Sequence, residues 1–182
     1  DLNSGYYKLK ALVTSVPGNY VYLIANNQYA GTNAFTTDKA FVEHEVKFVV
    51  EDGIANIATV ASRGGKFNYP GGAYFKSDNY RLEYLGTLAE GRVALALAEV
   101  RERAETLTPE AKAKLLNDIA KYDADDFIPV GDGLEEKVAI YTALKEATLS
   151  QRAANAEMTW VIRNHSFETS DLSGWTVPAQ WD

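Results

Sequence analysis

The chain predicts an α+β protein: a β-rich block, then three helices, then a return to β. Three observations carry this reading. Apolar and polar residues alternate with period two along most of the first 86 positions. Good helix formers (Ala, Leu, Glu, Arg) take over after Gly86. A short apolar run, Thr159-Trp160-Val161-Ile162, then precedes Phe167 and Trp175 and restores a strand-like pattern. The expected units are 1–86, a β-sandwich; 87–156, an antiparallel three-helix bundle; and 157–182, strands that either complete the first block or open another.

In the first unit, Tyr7, Leu9, Ala11 and Val13 share one face of a strand from Tyr6, with Lys8 and Lys10 on the other. Pro17-Gly18-Asn19 predicts a turn, because proline fixes φ and the next two residues tolerate positive φ. Tyr20 to Ala25 is the next strand, and Asn26 to Asp38 reads as a long loop. Phe41 to Val50 is the clearest strand: Val42, His44, Val46, Phe48 and Val50 alternate with Glu43, Glu45 and Lys47. Asp52-Gly53 is the strongest short hairpin signal, and predicts Ile54 to Ala61 as the returning partner. After a glycine-rich loop, Arg63 to Gly72, a last strand runs from Tyr74 to Leu85.

The first helix is expected over Leu88 to Leu107. Thr108-Pro109-Glu110 restarts a helix, with threonine as N-cap and proline at the first helical position. Leu134, Val138, Tyr141, Leu144 and Thr148 keep three-and-four spacing in a third helix from about Leu134 to Ala154.

Composition narrows the function classes. The chain has 182 residues, 46% of them hydrophobic, so it can build a packed core. Its net charge of −7 and lack of a basic stripe disfavour binding to nucleic-acid phosphates or an anionic membrane surface. Without cysteine there is no disulfide, thiolate metal site or cysteine nucleophile. No apolar run is long enough to insert in a bilayer.

The stretch Lys76-Ser77-Asp78-Asn79-Tyr80-Arg81-Leu82-Glu83-Tyr84-Leu85-Gly86 resembles the terminal strand of galactose-binding-like jelly rolls. Gly5 to Ala11 and Val21 to Asn26 resemble their middle strands, and Asn164 to Trp175 their opening strands. Such carbohydrate-binding modules recur in surface and secreted glycan-processing proteins of Bacteroidetes, and residues 87–156 resemble the three-helix connectors between them. Two departures stand out. His165 occupies a usual proline position, and the strands between the Trp175 and Gly5-Tyr6-Tyr7 segments are missing. The resemblance implies a jelly-roll fold, a glycan as partner along with neighbouring modules of one parent chain, and a secreted or cell-surface bacterial location. It also implies a structural calcium, with Glu168 and Asp78 at the acidic positions. Calcium wants several hard oxygens.

A sugar presents C–H faces to aromatic rings and hydroxyls to amides and carboxylates. Two loops offer that mix: Asn26, Gln28 and Tyr29 in one, and Phe67, Asn68 and Tyr69 in the other. The bland reading is that these rings cover a sheet edge. Asp123, Asp125, Asp126 and Asp132 lack EF-hand spacing and read as a solvated charge cluster. His44 reads as a core histidine satisfied by one hydrogen bond. Arg92, Arg101 and Arg103, interleaved with Glu99, Glu102 and Glu105, read as a self-supporting solvated helix face. No nucleophile elbow or phosphate loop is present. The expected function is therefore a non-catalytic carbohydrate-binding segment, with a ligand-free spacer or stalk module as the alternative. An accessory role beside a glycoside hydrolase is compatible with both.

Overall fold

The computed structural model describes residues 2–31, 35, 40–63 and 74–156. It is α+β, with two three-stranded antiparallel sheets followed by three helices. The strands are β1 (Gly5–Ser15), β2 (Asn19–Ala25), β3 (Gln28–Gly31), β4 (Val42–Val50), β5 (Ile57–Arg63) and β6 (Phe75–Gly86). One sheet has the order β4-β1-β6 and the other β3-β2-β5.

Period-two alternation explains how the sheets meet. Tyr7, Leu9, Ala11 and Val13 of β1 and Val46, Phe48 and Val50 of β4 bury one face. Val21, Leu23 and Ala25 of β2 bury another, and all join one cluster with Phe35. The two sheets thus share a single apolar layer, as sheets packed face to face do. Phe48 is fully buried, with its ring 6.0 Å from that of Tyr7. The outer face of the first sheet is a charged ladder: Lys8 pairs with Glu83, Lys10 with Glu43 and Glu45, and Arg81 with Glu43.

The structure corrects the hairpin expectation. Asp52-Gly53 does turn, with Gly53 at φ 82, but it does not form a hairpin. β4 pairs with β1, whereas β5 pairs with β2, so the connection crosses between sheets. The physical reason is local. The Asn26 Nδ2 donates to the Val49 carbonyl at 2.7 Å, and its Oδ1 accepts from the Asn56 amide at 2.9 Å. This clamp draws the segment after Gly53 to the second sheet. The predicted long loop also contains a strand: Asn26 takes φ 49, a region asparagine tolerates, and closes a two-residue turn into β3.

The helices are α1 (Leu88–Ala104), α2 (Pro109–Ile119) and α3 (Leu134–Ala156), with a short 3-10 turn at Ala120–Asp123. Thr87 and Glu90 form a reciprocal capping box at the start of α1. Thr108 caps α2 with Pro109 in the first turn, as the sequence predicts. Asp132 accepts from the Leu134 amide at 3.1 Å and begins α3. Val93, Leu97 and Val100 of α1, Leu115 and Ile119 of α2, and Ile140 and Leu144 of α3 form a second core. No helix among the described residues is long and apolar enough to cross a membrane.

Candidate functional site

The helices seat on the β block through α1. Gly91 lies against the outer face of the first sheet, where an added Cβ would stand 2.7 Å from both the Tyr6 Cβ and the Val49 Cγ1. Glycine is required here by close approach, since any side chain would occupy the strand's own space. The next residue, Arg92, is 10% exposed and pairs with Glu51 and Asp132, each at 2.8 Å. Burial works against its charge, but the two carboxylates more than offset that and raise its pKa. Arg92 therefore pins three segments together: the end of β4, the start of α1 and the approach to α3. The solvated-face expectation is corrected for this residue. Arg103 does follow it, pairing with Glu99 four residues before at 2.8 Å.

Beyond this contact α1 diverges from the sheets and leaves a cleft against β3. Its volume is about 590 Å³ on the side lined by Tyr6, Tyr29, Ala98, Arg101 and Phe127. A larger hollow of about 1290 Å³ adjoins it, lined by Asn27, Gln28, Tyr29, Glu99, Arg103 and Tyr141. Gln28 and Tyr29 line both. Tyr29 is 68% exposed, and its ring meets that of Tyr22 edge-on at 6.2 Å. The opposite wall carries a polar pair, because the Tyr141 hydroxyl donates to the Glu99 carboxylate. Burial, then Glu99, pushes Tyr141 up to about 12. A donor-acceptor pair and an exposed ring lining one hollow make a surface that can hold a flat, hydroxyl-rich molecule.

The residues expected to bind fare differently. Gln28 and Tyr29 come together on the cleft wall. Asn26 lies at its edge, but its amide is committed to Val49 and Asn56, so it shapes the turn. Phe67, Asn68 and Tyr69 lie outside the described residues, as do Glu168, His165 and the tryptophans. Asp78 is exposed and accepts from the Asn79 amide at 2.7 Å. No cluster of three or more metal-ligating side chains occurs among the described residues. In the acidic loop, Asp123 pairs with Arg101 and Asp132 with Arg92, so two of its carboxylates serve structure.

His44 occupies the inward face of β4, opposite Ala11. Its Nε2 is buried without a hydrogen-bond partner among the described residues, unlike the satisfied histidine expected. Burial lowers its pKa. The residues that sequence reasoning missed, Glu99, Arg103 and Tyr141, sit on two helices. They meet only because α1 and α3 pack side by side, and no local motif announces that meeting. The chain matches no known protein family, and neither curated proteins nor solved structures yield a match.

Proposed function

We propose that the chain is a non-catalytic glycan-binding segment of a secreted or surface-anchored, multimodular bacterial protein. In this reading the two sheets are a β-sandwich of jelly-roll type and the helices an antiparallel three-helix bundle. The observation that carries it is the exposed Tyr29 ring on a broad cleft opposite Tyr141, Glu99 and Arg103. A sugar's C–H face would stack on Tyr29, and its hydroxyls would bond to Gln28 and the charged wall. Shallow contacts of this type bind weakly one at a time and gain strength by repetition along a parent chain. The test is a glycan array probed with the full chain and with Tyr29→Ala and Gln28→Ala. Loss of the same glycan signals in both variants supports the reading; signals unchanged in both refute it.

The junction favours a second reading, a spacer that holds neighbouring modules at a set angle. Gly91 and Arg92 lock α1 to the β block, which a flexible tether does not need. Absence of any glycan signal together with a stiff, elongated shape in X-ray scattering supports the spacer.

A structural calcium remains a proposal tied to Asp78 and Glu168. Among the described residues Asp78 belongs to no group of three or more metal-ligating side chains, short of the oxygen ligands calcium takes. Calorimetric titration of the metal-stripped chain with calcium tests it: heat that disappears in Asp78→Asn supports the site, and no heat refutes it.

A further inference from the structure

We propose that β6 is the contact strand of a symmetric dimer, in which two copies of this chain pair edge to edge and antiparallel about Leu82. β6 is an outer strand of its sheet, with β1 as its only partner among the described residues. A long edge strand presents a row of backbone donors and acceptors to any strand that fits. Its inward-facing residues are also left open. Tyr80, Leu82 and Tyr84 are 46%, 41% and 56% exposed. All three point toward the shared core: Leu82 pairs with Leu9, Tyr84 packs edge-on to Tyr7, and the Tyr80 hydroxyl lies 2.6 Å from Thr59 Oγ1. Ile57 on facing β5 is exposed too, so among the described residues this side of the β block has no neighbour.

The occupant follows from the strand's own sequence. Tyr80-Arg81-Leu82-Glu83-Tyr84 is chemically palindromic. Turned antiparallel about Leu82, it sets Leu82 opposite Leu82 of the second copy. Each Tyr80 then faces a Tyr84, and each Arg81 faces a Glu83. Directly opposed residues of an antiparallel pair have Cβ atoms about 4.5–5.5 Å apart, and opposite charges and aromatic pairs there are favourable. A register slipped by two residues about Arg81 sets arginine against itself, Tyr80 against Leu82 and Tyr84 against Asp78. The copies therefore select one register. Register shifts end the regular edge on both sides, one across Asn79 (φ 55) and Tyr80 and one at Leu85, just before Thr87 caps α1. The match is thus short and self-limiting, and an isologous contact closes at two copies.

Because the chain has no cysteine, single cysteines report the register. Leu82→Cys is predicted to form an intermolecular disulfide on mild oxidation. Tyr84→Cys alone is predicted not to, although it is at least as exposed. A mixture of Tyr80→Cys and Tyr84→Cys is predicted to form the mixed dimer. Sedimentation of the unmodified full chain should show a concentration-dependent dimer, and Arg81→Glu should remove it. A chain that stays monomeric at every concentration overturns the proposal. So does a dimer in which Leu82→Cys and Tyr84→Cys cross-link equally, or in which neither does.

Discussion

Gly91→Ala isolates the contact that places the helices on the sheets. In an unpacked helix this change stabilises by about 1 kcal/mol, because alanine is the better helix former. Here the new Cβ lies 2.7 Å from two carbons, where ordinary contact is about 3.5–4.0 Å. The Tyr6 Cβ is fixed to the β1 backbone, so α1 must withdraw by close to 1 Å. That movement strains the Arg92 pairs with Glu51 and Asp132. It also disturbs the contact of Gly133 with the Ala89 backbone, where no side chain fits. Overpacking of this type costs about 1–3 kcal/mol. The cost matches or exceeds the propensity gain, and the net is a destabilisation of up to about 2 kcal/mol. For a chain of this length that lowers the melting temperature by up to about 8 °C. Calorimetry of both proteins measures it. Val49→Ala removes one of the two clashing carbons, so the double variant should lose less than the sum of the single changes. A Gly91→Ala protein more stable than the parent by about 1 kcal/mol would show α1 free of the sheet and refute the seating of the helices.

Three further outcomes follow from the same geometry. Phe48→Ala, at a fully buried position, should cost about 3–5 kcal/mol in denaturant unfolding if the sheets share one core; a cost near that of a surface change contradicts it. His44 has a folded pKa below its ordinary 6.5, so its proton favours the unfolded chain, and stability should fall as pH drops below 6.5. His44→Phe should flatten that acid-side slope in melting curves, and an unchanged slope assigns it elsewhere. Tyr141 is raised from 10.0 to about 12, so its contribution is intact below 10 and is lost as pH climbs through 12. In an ultraviolet titration Glu99→Gln should bring one late-titrating tyrosine back toward its ordinary range.

Strands were legible where one face is buried and the other wet, as in Leu9 against Lys8 and Phe48 against Lys47. Helix starts were legible because Thr108 and Pro109 act within one turn of chain. Pairing was not. Asp52-Gly53 has hairpin chemistry, but the partner of β5 was decided by an asparagine clamp thirty residues upstream in sequence. β3 was hidden because its four residues, Gln28-Tyr29-Ala30-Gly31, are too few to show a period. At the cleft, Gln28 and Tyr29 were visible as a polar-aromatic pair in a loop. Arg92 was not separable from its neighbours Arg101 and Arg103, since all three sit in the same charged pattern. Only packing distinguishes the one that is buried.

The most direct test of glycan recognition is a nuclear magnetic resonance titration of the labelled full chain with the best oligosaccharide from the array. Shifts should concentrate at Gln28, Tyr29 and Ala30 and along Leu95 to Arg103, and Tyr29→Ala should abolish them. Saturable shifts that leave both walls of this cleft untouched would contradict it.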